Sequence, residues 1–343
     1  MNAKETSFYD KNRQQLYKVI PLDMPFTCVI EPSSKCNLRC NYCAFSKKVA
    51  LKERSHIMEN MSNETFALIV SQLKEFPRPF KNICFTGLGE PLMNPLLPDM
   101  IKTIKDAGVS ERVILITNAA NLTYDNSLGL VDAGLDAITI SVNGLNADDY
   151  EKFTERRIDY DKFIKQIAFL YANKRQLRVD LKTIDLCINS DDDKKYFFNT
   201  FGNICDRINV ETVAPIMSGV TYDDKNIKNI NNVSKYSEIK ERRRVCSQAF
   251  YRFCISSLGK VNFCDPVIGF PYNELDISKT TLKDIWNGTF HKQLQLNQLQ
   301  KTSEIPPPCK NCPIKSEFAF EEDNLDPFAE DLYQKLKESE KSL

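Results

Sequence analysis

The sequence predicts an α/β protein, a partial parallel (β/α)6 barrel followed by a small cysteine-rich domain. Two observations predict the first part. Short β-rich runs alternate with amphipathic helical segments from residue 26 to residue 240, and one helix ending, "KDAGV" at 105–109 and "VDAGL" at 131–135, twice leads into a strand. Repetition of strand then helix implies parallel strands joined by right-handed crossovers. A third observation predicts the second part: after residue 241 the alternation stops, and Cys246, Cys254, Cys264, Cys309 and Cys312 become the landmarks. About six strand–helix units are too few to close a full barrel, so the sheet should stay open on one side.

Taken in order, residues 1–25 read as an N-terminal extension, 26–240 as the barrel, 241–316 as the cysteine-rich domain and 317–343 as an acidic tail. The strands are expected at "FTCVIE" (26–31), "NICFTG" (82–87), "RVILITN" (112–118), "AITISVNG" (137–144), "RVDLKTIDL" (178–186) and "RINVETVA" (207–214), all rich in β-branched residues. Between the first two, Ser62 is placed to cap a helix with Phe66, Ile69, Val70 and Leu73 on one face. The next helix carries Met100, Ile101, Ile104 and Ala107 and should end at Gly108 in a left-handed cap. The tail from Glu317 has nine acidic residues against three lysines and closes on a helix with Leu332 and Leu336 on one face; surface helix and lid both fit it.

Composition narrows the function. The 343 residues are 42% hydrophobic, with 46 basic and 46 acidic side chains. Without charge excess or a long basic cluster, nucleic acid is not an expected partner. No apolar run approaches the roughly 20 residues of a membrane span, and the start lacks the apolar core of a secretory signal, so a soluble cytoplasmic protein is expected. Twelve cysteines in a reducing compartment point to metal or cluster ligation instead of disulfides. With only His56 and His291, imidazole-based metal sites and Ser-His or Cys-His mechanisms are disfavoured.

In "EPSSKCNLRCNYCAFS" (31–46), Cys36, Cys40 and Cys43 are spaced Cys-x3-Cys-x2-Cys. They fall in the loop after the first strand, where parallel α/β folds gather their sites. A structural zinc needs a fourth ligand, whereas three thiolates on a [4Fe–4S] cube leave one iron open. A zinc knuckle completed from a distance is the alternative.

This spacing, with the aromatic Tyr42 before the third cysteine, resembles the signature of the radical S-adenosylmethionine superfamily. The resemblance implies that S-adenosylmethionine chelates the open iron through its amino and carboxylate groups and is cleaved reductively to methionine and a 5′-deoxyadenosyl radical. It also implies that "FTGLGEP" (85–91) is the family's Gly-Gly-Glu element with Leu88 inserted, so that Gly87 and Gly89 allow close backbone approach and Glu90 can accept from an ammonium group. Thr117 and Asn118 after the third strand, and Ser141 and Asn143 at the end of the fourth, become candidates for cofactor contacts or for turn backbone; many relatives have Asp where this chain has Asn143. Lys182 and Thr183 are further candidates for the cavity wall.

Cys246 and Cys264 frame Gly259 as Cys-x12-Gly-x4-Cys, and "PPPCKNCP" adds Cys309 and Cys312. Four thiolates suit zinc or a fully ligated cluster. The pattern, together with "TLKDIWNGT" (281–289), resembles a SPASM domain shortened to the Twitch form, which implies one auxiliary [4Fe–4S] cluster on these four residues. Cys254 reads either as a buried small hydrophobe or as a thiol that donates a hydrogen atom to a substrate radical. Cys28, Cys84, Cys187 and Cys205 read as core residues, with Cys187 able to face the cavity. Arg242, Arg243 and Arg244 either bind a substrate anion or close a helix against its dipole.

The resemblance implies a radical enzyme that takes a hydrogen atom from substrate carbon and draws on a reducing donor such as flavodoxin or ferredoxin. Dehydrogenation of a small, carbohydrate-like substrate is the first expectation. Crosslinking or epimerisation of a ribosomally made peptide is the second, and a non-catalytic zinc scaffold is the reading from another class.

Overall fold

A computed structural model describes residues 3–8, 13–43, 46, 58–214, 233–236, 241–264, 275–300, 307–310, 312–318 and 320–341. His56 lies outside the described residues. The six expected strands are all present: β2 (Thr27–Ile30), β3 (Asn82–Phe85), β4 (Val113–Thr117), β5 (Ala137–Ser141), β6 (Arg178–Ile184) and β7 (Arg207–Glu211). Each pairs in parallel with the next in chain order. Among the described residues the sheet continues past both ends of this set, because β1 (Lys4–Glu5) pairs with β7 and β8 (Arg252–Ile255) pairs with β2. A short β9 (Val261–Asn262) folds back antiparallel on β8.

The connecting helices form where the sequence predicts them. In α1 (Asn63–Leu73) the Ser62 hydroxyl accepts from the Thr65 amide, and Phe66, Ile69, Val70 and Leu73 are buried. Each such fully buried side chain stabilises the layer by roughly 1.5–3 kcal/mol. In α2 (Leu97–Ala107) the chain leaves through Gly108 at φ 64°, a left-handed conformation that costs glycine little. The second "DAG" ending repeats this after α3 (Tyr124–Asp132), with Gly134 at φ 81°. Then α4 (Ala147–Thr154), α5 (Tyr160–Ala172) and α6 (Asp191–Phe201) complete the barrel's outer layer.

The cysteine-rich part is joined to the barrel by more than the β8–β2 pairing. Gln72 on α1 is buried; its side chain donates to the Ile277 carbonyl and accepts from the Leu282 amide at the start of α7 (Leu282–Asn287). The indole of Trp286 donates to the Leu22 carbonyl at 3.1 Å. His291, on α8 (Thr289–Gln300), is 1% exposed, with its ring nitrogens at the Trp286 and Ala249 carbonyls.

The acidic tail is docked. Leu325, Ala329, Leu332, Tyr333 and Leu336 are buried, α9 (Ala329–Lys341) packs on α8, and Phe328 stacks on Tyr17 at 3.6 Å. The arginine run before Cys246 takes part in this docking. Asp326 accepts from the backbone amides of Arg244 and Val245, each at 2.8 Å, and Arg243 pairs with Glu321. Replacing the buried Leu332 by Ala should lower stability by about 2–4 kcal/mol in urea unfolding, whereas Leu128→Ala, at a side chain 40% exposed, should fall within about 0.5 kcal/mol of the parent.

Candidate functional site

The loop carrying Cys36, Cys40 and Cys43 leaves the C-terminal end of β2 and is held by backbone from several elements. Arg39 and Asn41 donate their amides to the Thr154 and Phe153 carbonyls at the end of α4, each at 2.9 Å. The Cys43 amide closes a turn on the Cys40 carbonyl at 3.0 Å. The Arg39 guanidinium donates to the Cys36 and Leu38 carbonyls. Tyr42 donates its hydroxyl to Asn143 Oδ1 at 2.6 Å, and its ring packs with Phe153, Leu186 and Cys187. The aromatic of the motif thus ties the thiol loop to the residue that follows β5.

The "GLGE" turn after β3 comes from the other side. A Cβ on Gly89 would lie 2.2 Å from the Ser33 carbonyl oxygen and 2.6 Å from that of Lys35, so only glycine fits this approach to the thiol loop. Glu90 then donates its amide to the Lys35 carbonyl at 2.7 Å. A Cβ on Gly87 would meet the side chain of Glu31, whose carboxylate accepts from the Leu88 amide at 2.7 Å.

The Glu90 carboxylate is 3% exposed and accepts from the Leu92 amide, the Thr117 hydroxyl and the Asn118 amide. Burial pushes its pKa up. It joins the ends of β3 and β4. Asn118 turns its side-chain amide toward Asn37 Oδ1 at 2.9 Å and Cys36 Sγ at 3.9 Å. Ser141, half-buried at the end of β5, has a hydroxyl with no partner among the described residues.

Both thiol sets suit cluster ligation by donor chemistry. Burial pushes the Cys36 thiol up to about 11 and raises Cys40 further, with Cys43 adding to both. In the second set, burial and the neighbouring Cys312 and Cys309 push Cys246 up to about 12. Cys264 is raised by burial, then by Cys246, Cys312 and Cys254, and burial holds Cys309 at about 11 with Cys312 adding. The members of each set therefore lie within electrostatic reach of one another. Among the described residues no three thiol, imidazole or carboxyl groups meet as closely as a single metal ion requires. Bound to these thiols, iron–sulfur clusters and S-adenosylmethionine would supply a hydrogen-abstracting radical.

Inside the barrel, reaching to the entry ends of its strands, lies a cavity of ≈ 530 Å³. Inward positions of β2–β7 line it, among them Thr27, Asn82, Arg112, Thr139, Lys182 and Glu211. Cys254 on β8 stands in register with Val29, two residues beyond the lining Thr27, and so shares the lumen face; it also neighbours Cys264. Cys28, Cys187 and Cys205 are fully buried, and Cys84 is half-buried. Lys182 bonds Glu211 at 2.7 Å, with Lys235 at 3.6 Å. Burial presses the Lys182 amine down; Glu211 opposes this and Lys235 reinforces it. For Glu211, burial acts to raise the carboxyl, but Lys182 and Lys235 together hold it below the usual carboxylate range.

Sequence reading passed over Asp180, Arg178, Arg207 and Glu211. Their signal was available: in "RVDLK" and "RINVE" charged residues alternate with apolar ones on strands covered on both faces.

The chain matches two family models, the Radical SAM superfamily over residues 30–228 and an iron-sulfur cluster-binding domain, SPASM, over residues 246–313. Among curated relatives it is 33% identical over 167 residues to a GTP 3′,8-cyclase of Chlorobaculum tepidum, covering 48% of this chain and 46% of that protein. It is 27% identical over 219 residues to a GTP 3′,8-cyclase of Clostridium perfringens, covering 64% and 63%. The chain thus spans less than two thirds of the length of these relatives. Similar solved structures include native anSMEcpe with bound AdoMet (TM-score 0.59, 15% identity, 90% of this chain and 96% of that one). BtrN in complex with AdoMet and 2-DOIA is another (0.51, 18%, 84% and 93%), as is Streptococcus suis SuiB bound to S-adenosylmethionine (0.57, 15%, 88% and 73%). At these identities the likeness is one of fold.

Gly89→Ala should push the turn off the thiol loop and roughly halve the iron bound after anaerobic reconstitution, leaving the circular dichroism spectrum of the barrel in place. Because ligation requires thiolates while burial keeps these thiols protonated, iron and sulfide uptake should rise between about pH 7 and 8.5. With a three-thiol loop after the first barrel strand, a four-thiol set beyond it and a matching family model over residues 30–228, this chain belongs to the radical SAM superfamily and carries a C-terminal SPASM domain.

Proposed function

We propose that Cys36, Cys40 and Cys43 hold the S-adenosylmethionine-binding [4Fe–4S] cluster, that Cys246, Cys264, Cys309 and Cys312 hold the auxiliary one, and that a small polar substrate bound in the lumen loses a hydrogen atom. The observation that carries this reading is the lumen itself. Its ≈ 530 Å³ falls within the range of small-molecule sites, and inward positions of the barrel strands line it. Oxidation of a carbohydrate-like moiety fits, since a two-electron oxidation needs an electron acceptor and four thiolates supply the ligands for one. Membership of an enzyme family displaces the zinc-scaffold reading.

On the cofactor side, we assign direct contact to Ser141 and to the peptide groups of Gly87–Gly89. Tyr42, Glu90, Thr117, Asn118 and Asn143 act by fixing the loop frame around it, as their bonds to one another imply. We assign the hydrogen-donor role to Cys254, which the β8–β2 register puts level with Val29. A flavodoxin- or ferredoxin-like reductant is the proposed electron source.

A second reading has a specific observation behind it. Relatives are named GTP 3′,8-cyclases, so the carbohydrate moiety could be the ribose of a nucleotide. The test is anaerobic reconstitution and dithionite reduction with S-adenosylmethionine, read by mass spectrometry. We expect 5′-deoxyadenosine from the parent and none from the Cys36→Ala, Cys40→Ala, Cys43→Ala variant, with iron falling from about eight to about four per chain. With substrate present, a product lighter by two hydrogens supports dehydrogenation, whereas a product of unchanged mass supports cyclisation. Full cluster loading without 5′-deoxyadenosine would overturn the proposal.

A further inference from the structure

The lumen has more positive charge than its own carboxylates can balance. Seven cationic side chains line it, against Glu211 and Asp323. Asp180, 0% exposed, adds a third carboxylate, but both Arg178 (3.0 Å) and Arg207 (2.5 Å) already pair with it. Glu211 is likewise shared by Lys182 and Lys235, and Asp323 pairs with Arg13. Two cations remain. Among the described residues, Lys81 has only Gln14 Oε1 at 3.3 Å and the Phe26 ring at 4.2 Å, and no carboxylate pairs with Arg112.

These two side chains stand at the entry ends of β3 and β4, next to the strands' first residues, Asn82 and Val113. Lys81 is exposed and Arg112 half-buried, so an anion entering the cavity there meets two cations that no carboxylate already neutralises. Arg112 and Lys81 are also the residue types that bind oxyanions through charge-assisted hydrogen bonds.

Resting on the reading of the lumen as the substrate cavity, we propose that Lys81 and Arg112 form an anion subsite at its entry end that takes the phosphate group or groups of the substrate. The strands set how far this subsite lies from the thiol loop. From Arg112 to Thr117, at about 3.3 Å per residue, the lumen wall runs about 16 Å. A free monosaccharide is too short to hold the subsite and present a carbon beside Thr117 and Ser141. A phosphate ester extended by a sugar, such as a nucleotide or a nucleotide-linked sugar, spans it. The excess of positive charge favours a polyphosphate over a lone carboxylate, whose oxygens would meet the same groups.

Calorimetric titration of the reconstituted full chain with tripolyphosphate, GTP, guanosine and glucuronate tests this without turnover. We expect tripolyphosphate and GTP to bind with affinity that falls as salt rises, and guanosine to bind at least tenfold more weakly than GTP. Lys81→Gln and Arg112→Gln should each weaken tripolyphosphate roughly tenfold while circular dichroism stays unchanged. Tighter binding of glucuronate than of tripolyphosphate would overturn the phosphate assignment. Guanosine binding as well as GTP, or binding indifferent to both substitutions, would overturn the subsite itself. Either failure leaves 5′-deoxyadenosine formation intact, whereas failure of the radical chemistry leaves these binding results unchanged.

Discussion

The site depends on the approach of one peptide turn to another. Gly89 brings the turn after β3 against the backbone of the thiol loop at a separation no side chain would permit, and the Glu90 amide fixes the contact on the Lys35 carbonyl. Once the turn is there, the buried Glu90 carboxylate gathers the Thr117 hydroxyl and the Asn118 amide from the end of β4. Its desolvation is offset by three donors, which is what allows an acidic group to stand inside such a wall. Through Asn118 this frame reaches the sulfur of Cys36, and through Tyr42 and Asn143 the loop is tied to the far side of the barrel.

The position of the second thiol set follows from β8. By pairing in parallel with β2, this strand continues the barrel sheet and lays Cys254 in the same row as Val29 and Cys84. Cys264 follows β9 on the hairpin that β8 begins, and the amides just before Cys246 are held by Asp326 of the tail. The acidic C-terminal segment is therefore a structural partner of the cysteine-rich part. Its charge opposes the arginines at 243 and 244, and its apolar face covers α8.

Inside the barrel, side-chain electrostatics take over from packing. A strand covered on both faces is usually apolar throughout, but β6 and β7 place Arg178, Asp180, Lys182, Arg207 and Glu211 on the lumen face and Val179, Leu181 and Ile208 on the other. Partly desolvated charges are retained where they are paired or where a ligand completes them. Here three carboxylates are each engaged by cations, and the surplus lies on one sign.

The alternation of β-rich and helical segments, the Ser62 cap and the two glycine helix endings determined the parallel fold, because these are local patterns that the backbone reads directly. The spacing of Cys36, Cys40 and Cys43 likewise carried the resemblance to the radical SAM superfamily, since all three lie in one loop. Tertiary structure decided what depends on contacts between remote residues. It recruited β1, only two residues long, and β8, which lies outside the strand–helix alternation, into the sheet. It set Arg243 and the Arg244 amide against the tail, because Glu321 and Asp326 stand there. And it gave Glu90, legible from sequence as the acid of a Gly-Gly-Glu element, and Asn143, legible as a polar group at a strand end, their bonds to Thr117 and Tyr42, since hydrogen-bond partners are set by which strand ends meet in space.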